Sequence, residues 1–409
     1  MHETDFYQQI LGLASPWFVA DVKLDPEAQQ VDVFVEHIEG TSFCCPECGQ
    51  ACPVYDHTDS RSWRHLDTMQ FRTLLHARPP RIKCSEHGVK QATLPWASKS
   101  SRFTILFERF AIDVLLATQT VQGAQGILKT SWDETWGILR RAVARGQARK
   151  TAKPMPRIGI DEKAFRKKHK YITLIYDLDR STVEAISDGN DTEAGNACFS
   201  QLSEEQLDSV EAIAMDMSAA FVRSAKQNIT LAESKIVHDR FHVMKLASEA
   251  VDKVRRSEHR QLKDKGDNRL SGTRYIWLAG QENLTDKQRK RFDEVYKQEL
   301  ETGKAWAYKE MLRELWEQDT AQSATRFFKD WNRRVAHTKL APLKKVARTI
   351  KKRLANVVSY CTHGITNAVA EGINSKIMSI KRRVGGYRNP GNFKTAIYFY
   401  CGGLDLYPQ

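Results

Sequence analysis

Hydrophobic and polar positions alternate through much of the first 98 residues, which is the period of strands with one buried face. The alternation is clearest in VDVFVEHIEG and FRTLLHARPPRIKC. From about residue 103 to 148 the apolar positions recur at helical spacing, in FTILFERFAIDVLLATQ, TVQGAQGILKT and SWDETWGILRRAVARGQARK. The segment TAKPMP, with two prolines, ends this stretch. The pattern predicts a β-rich region, three helices and a linker.

Short apolar segments then alternate with helical ones up to about residue 240. The strands RIGIDE, KYITLIYDLD and TVEAISDG precede a helix at about 192–206, the strand VEAIAMD, a helix at about 218–227 and the strand KIVHD. This order predicts a mixed sheet flanked by helices. Residues from about 240 to 358 are charged and helical, without a convincing strand. A helix around Glu371 and a last aromatic helix, NFKTAIYFYCGG, follow.

The charge of the chain is concentrated near its end. The 409 residues are 41% hydrophobic and 28% charged, which is typical of a globular protein, and carry a net charge of +13. Residues 331–400 contain fifteen lysines and arginines but a single acid, Glu371, and the rest of the chain is nearly neutral. This segment predicts a polyanionic partner, most simply nucleic acid. No amphipathic anchor, leader or long apolar stretch predicts a membrane, so we expect a soluble intracellular protein.

The early cysteines have the spacing of a zinc site. Cys45 and Cys48 form C-x2-C, and Cys84 and His87 form C-x2-H after a gap of 35 residues. Two such pairs supply the four ligands of a closed, structural Zn²⁺ site. The alternative is a set of buried free cysteines. Three further side chains could replace a ligand: Cys44, Cys52 and His57.

The three predicted helices have the pattern of a helix-turn-helix. Ser131 is a plausible N-cap, and the helix that begins at Trp132 would enter the major groove. Arginines toward the end of this helix would contact phosphate: Arg140, Arg141, Arg145 and Arg149. The alternative is an ordinary helical hairpin that packs one domain against another.

Carboxylates at the ends of apolar segments are candidates for catalysis. RIGID ends at Asp161 and EAIAMD at Asp216, on the first and fourth predicted strands, which are neighbours in an RNase-H-like sheet. Each could instead cap a turn or helix. Glu371 could complete the ligands of two Mg²⁺ ions, but a surface salt bridge with its basic neighbours is the alternative.

Other carboxylates compete for these roles. Asp239 ends the fifth predicted strand, whereas Glu162 should point away from its neighbour on a strand, and Asp177 and Asp179 lie near a turn. After Glu371, several side chains are candidates for contact with the DNA backbone: Lys376, Lys381, Arg382, Arg383, Tyr387 and Arg388.

Several motifs occur in a characteristic order along nearly the whole chain: CPECG, CSEHG, RSWRHLD, IGIDEKAFRKKHKYITLIYDLD, AMDMSAAF, VHDRFHVMKLASEAVDKVRR and THGITNAVAEGINSKIMSIKRRVGGYRN. In these motifs the chain resembles bacterial insertion-sequence transposases of the ISL-three family, within the DDE class. His87 departs from the family pattern, which commonly has a fourth cysteine there, but histidine is also a good zinc ligand.

The resemblance implies an α/β fold with an RNase-H-like mixed-sheet core and a helical insertion. A small zinc-binding domain and an all-α helix-turn-helix domain would precede this core. The expected boundaries are 1–98 for the zinc-binding domain, 99–150 for the helix-turn-helix domain, 151–244 and 351–409 for the two parts of the core, and 245–350 for the insertion.

The resemblance also implies that Asp161, Asp216 and Glu371 are catalytic and hold two Mg²⁺ or Mn²⁺ ions. It favours Asp216 over Asp239 by motif position. The segment HDRFHVMK is expected to support the active site, where His238 and His242 either touch the substrate or serve in packing.

The implied activity is cleavage of DNA at the ends of an insertion sequence and transfer of the freed 3′-hydroxyl to target DNA. The implied partners are the terminal inverted repeats, the target DNA and a second copy of the chain, in the bacterial cytoplasm at the nucleoid. Two alternatives stay open. One is an RNase-H-like nuclease or junction resolvase, and the other is a DNA-binding regulator with an inactive core.

Overall fold

A computed structural model of the chain describes residues 2–166, 170–365 and 368–409. Residues 167–169 and 366–367, within two of the motifs quoted above, lie outside the described residues. The described parts follow the predicted order: a β-rich region, three helices, a mixed sheet and a long helical region. No helix in these parts is both long and apolar enough to cross a membrane.

The N-terminal region contains a helix and two small sheets. Its elements are α1 (Glu3–Ile10), β1 (Trp17–Asp25), β2 (Gln30–His37), β3 (Ser42–Cys44), β4 (Ala51–His57), β5 (Arg61–Arg64), β6 (Arg72–Ala77), β7 (Pro80–Cys84) and β8 (Gly88–Gln91). One sheet has the order β1-β2-β6-β5 and the other β3-β4-β7-β8. The alternation in β2 buries Val31, Val33 and Val35, as its pattern predicts.

Three helices follow: α2 (Ile105–Thr118), α3 (Val121–Leu128) and α4 (Trp132–Arg149). Ser131 caps α4, as predicted. Its hydroxyl accepts the backbone N–H of Glu134, whose carboxylate accepts the backbone N–H of Ser131 in return. This reciprocal pair satisfies two N–H groups that would otherwise lack partners at the helix start.

The mixed sheet and its helices come next. The elements are β9 (Arg157–Arg166), β10 (Lys170–Asp177), β11 (Thr182–Asp188), α5 (Thr192–Phe199), α6 (Glu204–Asp208), β12 (Ala212–Met215), α7 (Ala219–Asn228), α8 (Ala232–Lys235) and β13 (Ile236–His238). The strand order is β11-β10-β9-β12-β13. β9 and β11 are antiparallel to β10, whereas β12 is parallel to both β9 and β13. The helix predicted at 192–206 is two helices, because Ser203 caps a new one.

The helical region after β13 forms its own core. Its elements are α9 (Arg240–Lys263), α10 (Arg274–Leu278), α11 (Asp286–Tyr296), α12 (Glu301–Arg313), α13 (Ala321–Ala336), α14 (Ala341–Lys351), α15 (Leu354–Val358) and α16 (Tyr360–His363), with short 3-10 turns at Gln281–Asn283 and Glu314–Glu317. Buried Trp277, Phe328 and Trp331 contribute to this core. Two further helices, α17 (Ala368–Arg383) and α18 (Pro390–Cys401), return to the sheet.

The mixed sheet is buried on both faces, which explains why its strands are nearly continuously apolar. Ile158 and Ile160 of β9 belong to the core that includes residues of α5 and α7. Phe165 of the same strand belongs to the core that includes residues of α4, α17 and α18. Because side chains alternate along a strand, Asp161 lies on the α17 face together with Phe165.

Candidate active site and zinc centre

The four predicted zinc ligands meet in the N-terminal region. Cys45 Sγ lies 4.0 Å from His87 Nδ1, Cys84 Sγ lies 3.7 Å from the same nitrogen, and Cys48 Sγ lies 3.7 Å from Cys84 Sγ. All four ligand atoms are within 4.8 Å of one another. With Zn–S bonds of about 2.3 Å, two thiolates in a tetrahedral site lie about 3.8 Å apart. The cluster therefore fits one tetrahedral zinc ion.

The three possible substitutes lie outside this cluster. Cys44 is exposed, and the Cys52 thiol donates to the carbonyl of Gln50 at 3.5 Å. His57 Nε2 instead lies 2.8 Å from His37 Nε2. Of the adjacent cysteines Cys44 and Cys45, only Cys45 lies in the cluster, so it is the candidate ligand.

The pKa values of two neighbouring thiols in the cluster shift in opposite directions. Although the Gln50 backbone N–H lowers it, the pKa of Cys48 is raised to about 11 by burial and by the neighbouring Cys84 and Cys45. The pKa of Cys84 is lowered to about 6 by the backbone N–H of His87, by the His87 side chain and by the backbone N–H of Glu86. A lowered thiol pKa favours the thiolate, which is the form that binds zinc.

The strand pairing brings three aspartates to one region of the mixed sheet. Ile160 pairs with Met215 in the parallel β9–β12 ladder, so the next residues, Asp161 and Asp216, are neighbours. Asp239 directly follows β13, which is parallel to β12. The expectation that Asp161 ends its strand is wrong, because β9 continues along β10 to Arg166. Asp161 is therefore in the middle of β9, one residue past the last β9 residue that pairs with β12.

Both carboxylate oxygens of Asp161 accept hydrogen bonds. Oδ1 accepts the backbone N–H of Glu162 at 2.7 Å. Oδ2 accepts from Lys163 Nζ at 2.8 Å and from Asn374 Nδ2 at 2.7 Å. The carboxylate is 13% exposed and is therefore largely enclosed by the protein.

Asp216 is a partly buried carboxylate near Asp161. Burial raises the pKa of Asp216, and the nearby Asp161 charge raises it further, although the Ser218 N–H and His242 oppose the shift. Asp216 Oδ1 accepts the Ser218 N–H at 2.8 Å, but the N-cap of α7 is Ser218 itself. The raised pKa of Asp216 therefore comes mainly from burial, and the Asp161 charge makes a smaller contribution.

Glu371 lies in the first turn of α17, which packs against β9. Glu371 is exposed, and partial desolvation by neighbouring groups raises its pKa; the charges of Asp239 and Asp161 raise it further, whereas His242 and Lys163 oppose them. Glu371 forms no ion pair with the residues that the structure describes, so the surface salt bridge considered above is not observed there. With Asp239, it lines a groove of about 430 Å³.

The carboxylates are neighbours without converging on one point. Among the described residues, the cysteine–histidine cluster is the only set of three or more ligand-type side chains whose ligand atoms lie within 4.8 Å of one another. Asp161, Asp216 and Glu371 are thus more widely spaced than the zinc ligands.

The HDRFH segment has three different environments. His238 is 1% exposed, and burial together with the Arg353 charge lowers its pKa to about 4, which fits packing rather than substrate contact. Asp239 caps α9 by accepting the Phe241 N–H. His242 Nδ1 lies 3.0 Å from Asp239 Oδ2, and this hydrogen bond raises the pKa of His242.

The remaining carboxylates have local roles. Asp177 Oδ1 accepts the backbone N–H groups of Asp179 and Arg180, as a turn residue should. Asp179 forms an ion pair with Arg157 at 2.5 Å. The pKa of Glu162 is raised mainly by burial, with smaller contributions from the charges of Asp216 and Asp161.

Two of the α4 arginines are used inside the protein. Arg141 Nε donates to buried Glu108 at 3.0 Å, and Arg145 Nη1 lies 3.6 Å from the other oxygen of that carboxylate. Arg145 also donates twice to the carbonyl of Leu406, at 3.1 and 2.8 Å. Contact of Arg141 and Arg145 with phosphate would require them to leave these partners, and it stays a prediction. Arg140 is exposed and stays a candidate.

Arg149 has a similar internal role. Its Nη1 donates to the carbonyl of Tyr407 at 2.6 Å and to the Asp405 carboxylate at 3.2 Å. The C-terminal part of α4 thus holds the segment that follows α18.

Two basic residues of α17 also donate hydrogen bonds within the protein. Lys376 donates to the carbonyl of Tyr400 at 2.6 Å, and Lys381 donates to the carbonyl of Ala164 at 2.7 Å. These two lysines fasten α17 to α18 and to β9. Contact with DNA would require them to leave these partners.

Other basic residues of the segment are more accessible. Arg382, Arg383 and Arg388 are exposed. Tyr387 is partly buried, with its ring centroid 5.1 Å from that of Phe393. Burial raises the pKa of Tyr387 to about 12. The three arginines are therefore better candidates for phosphate contact than the tyrosine.

Three described residues around Asp161 were not predicted: Asn374, Tyr176 and Lys163. Asn374 is buried on α17 between Ile373 and Ile377. A polar residue in the apolar stripe of a helix was the signal that could have found it. Tyr176 had no such signal, since aromatic residues are ordinary in buried strands.

Three parts of the chain match known transposase families. Residues 158–397 match the ISL3 family described as "Transposase". Residues 41–87 match "zinc-finger of transposase IS204/IS1001/IS1096/IS1165", and residues 92–143 match "Helix-turn-helix domain of transposase family ISL3". Because the first match alone covers more than half of the chain, the protein belongs to the ISL3 family of transposases, as its motifs predicted. The zinc-finger match and the cysteine–histidine cluster together support a structural zinc site.

Similar proteins from two bacteria carry the same description. A transposase for insertion sequence element IS1001 of Bordetella parapertussis is 28% identical over 85% of this chain and 86% of that protein. A transposase for insertion sequence element IS1557 of Mycobacterium tuberculosis is 24% identical over 95% of this chain and 94% of that protein. Both similarities extend over most of each protein and are not confined to one domain.

Proposed function

We propose that this transposase binds the terminal inverted repeats of an insertion sequence, cleaves DNA at the element ends and transfers the freed ends to target DNA. The observation that carries the proposal is that Asp161 of β9 lies next to Asp216, which directly follows the neighbouring strand β12, while the helix that bears Glu371 packs against β9. The pKa values of Asp216 and Glu371 are raised partly by other carboxylates. Nearby positive charge would let all of these carboxylates stay ionised at the same time, because it offsets the repulsion between them.

The strand order supports an RNase-H-like core. Three consecutive antiparallel strands are followed by two parallel ones, in the order β11-β10-β9-β12-β13. Most of α9 and helices α10–α14 would form an insertion within this core. We keep the domain boundaries expected from the sequence: 1–98, 99–150, 151–244, 245–350 and 351–409.

Two Mg²⁺ or Mn²⁺ ions would be held by Asp161, Asp216 and Glu371. Carboxylate oxygens are the donors that these hard cations prefer. When bound, such ions activate the attacking oxygen and stabilise the departing 3′ oxygen of a phosphodiester.

The chain's own groups would position the reactants. Phosphoryl transfer needs alignment and neutralised charge, not a covalent protein nucleophile. Exposed Arg382 and Arg383, about three turns after Glu371 on α17, and Arg388 beyond the helix end would hold the DNA backbone. His242, hydrogen-bonded to Asp239, would add positive charge near Asp216.

The N-terminal modules would supply recognition. Zinc would hold β3, β4, β7 and β8 together, and α4 would read the inverted repeat, with Arg140 on phosphate. Because two element ends must be joined in one reaction, we further propose that the protein acts at least as a homodimer.

A paired-end joining assay tests this function. Purified protein would be incubated with labelled DNA from both flanks of its gene, where imperfect inverted repeats are expected, together with a plasmid and Mg²⁺. Label joined covalently to the plasmid through a 3′ end supports the proposal. Cutting of branched DNA without joining would favour a resolvase, and binding without any strand breakage would favour a regulator with an inactive core.

A further inference from the structure

A buried amide on α17 contacts the Asp161 carboxylate directly. Asn374 is 7% exposed and donates from Nδ2 to Asp161 Oδ2 at 2.7 Å. It lies three residues after Glu371, about one turn along the same helix. One helix therefore carries a candidate metal ligand and a hydrogen-bond donor to another candidate ligand.

The orientation of this amide is determined by Tyr176. The Tyr176 hydroxyl is 2.5 Å from Asn374 Oδ1, and its ring is fully buried in β10. Burial raises the pKa of Tyr176 well above its usual value, so the hydroxyl keeps its proton and donates it. Since the amide oxygen can only accept, the amide nitrogen must face Asp161.

Together these contacts hold both oxygens of Asp161. The Glu162 N–H holds Oδ1, and Asn374 with Lys163 holds Oδ2. An ionised carboxylate can accept about four hydrogen bonds or metal contacts, so acceptor capacity is left for a cation. Asn374 is buried, whereas the Lys163 side chain is 22% exposed on a flexible stem. The amide is thus the more rigid of the two donors to Oδ2.

We propose that Asn374, oriented by Tyr176, is a positioning residue that presents the Asp161 carboxylate to a divalent cation and ties the Glu371 helix to β9. This inference rests on the proposed metal-binding role of Asp161. Partners that orient a metal ligand through a hydrogen bond typically change metal affinity by about 10–100-fold when removed.

Mn²⁺ binding in the absence of DNA tests this role without relying on activity. The full chain, loaded with zinc, would be titrated with Mn²⁺ while the free ion is followed by electron paramagnetic resonance. We expect Asn374→Ala to weaken Mn²⁺ binding about 10–100-fold. Tyr176→Phe should weaken it about 2–10-fold, since one neutral hydrogen bond is lost. Ser375→Ala, at an exposed neighbour on the same helix, should leave Mn²⁺ binding unchanged.

The controls separate this role from folding and from the function itself. Circular dichroism and urea unfolding identify variants that fold, because a purely structural asparagine would lower stability but leave the Mn²⁺ affinity of the folded protein unchanged. A folded Asn374→Ala that binds Mn²⁺ like the wild type, while Asp161→Asn does not, overturns the positioning role alone. If Asn374→Ala does not fold, unchanged binding by Tyr176→Phe overturns it. Equal binding by Asp161→Asn and the wild type instead contradicts the proposed metal site.

Discussion

Arg140 and Arg145 lie on the same helix, but the structure gives them opposite roles. Arg140 is exposed, whereas the Arg145 side chain is 16% exposed and contacts both Glu108 and the carbonyl of Leu406. We predict that Arg145→Ala destabilises the protein and leaves the salt dependence of DNA binding nearly unchanged. Arg140→Ala should do the reverse.

The size of each effect follows from the contacts. The two hydrogen bonds from the Arg145 guanidinium to the Leu406 carbonyl contribute about 2 kcal/mol together, as bonds from a charged donor do. The longer ion pair with buried Glu108 adds about 1 kcal/mol, because Arg141 and Ser101 remain as partners of that carboxylate. Arg145→Ala should therefore lower the free energy of unfolding by about 3 kcal/mol. Arg140→Ala should change it by less than about 0.5 kcal/mol.

Urea unfolding measures the first effect, and binding to end DNA at several salt concentrations measures the second. Loss of one phosphate contact should reduce the slope of log K against log salt by about 0.9 for Arg140→Ala. The proposed roles are refuted by the reverse result. In that case Arg145→Ala would be as stable as the wild type and would reduce the slope, whereas Arg140→Ala would be destabilised and would keep the wild-type slope.

Two further predictions concern the N-terminal region. Chelation of zinc, or the substitution Cys45→Ser, should unfold the zinc-binding sheet, and circular dichroism would detect the loss of structure. The effect should be large because zinc binding contributes about 10–16 kcal/mol in small zinc domains. Cys44→Ser is the control and should have no such effect, because Cys44 lies outside the cluster. Burial lowers the pKa of His65 to about 4, so acid favours the unfolded state, and stability present above about pH 6.5 is lost as the pH falls toward 4. Between pH 7.5 and 5 this residue should cost about 2 kcal/mol. His65→Gln should remove that part of the pH dependence of urea unfolding, and equal pH dependence in both proteins would contradict the prediction.

Local patterns predicted the elements and their order well. Alternation identified strand β2, helical spacing identified α2–α4, and the capping residue of α4 was correct. The candidate zinc ligands could also be predicted from local sequence, because C-x2-C and C-x2-H spacings reflect the geometry of a single turn. These features depend on residues that are close together in the chain.

Features that depend on tertiary contacts were harder to predict. β9 extends beyond Asp161 because it pairs with β10, which a local apolar run cannot reveal. The sequence predicted that Arg145 contacts DNA, because it does not show that folding brings Glu108 and Leu406 next to Arg145. Asn374 meets Asp161 across 213 residues of sequence, so only the polar position in an apolar stripe hinted at its role.

The proposed catalytic role of Glu371 is tested most directly by Mg²⁺-dependent cleavage of end DNA. Glu371→Gln should slow strand cleavage by about 100-fold or more, since charge stabilisation by a bound metal is worth several kcal/mol. It should still bind end DNA. Glu282→Gln, at another acid that lines the same groove, is the matched control and should cleave normally. Cleavage by Glu371→Gln at the wild-type rate, with binding intact, would contradict the assignment of Glu371 to the active site.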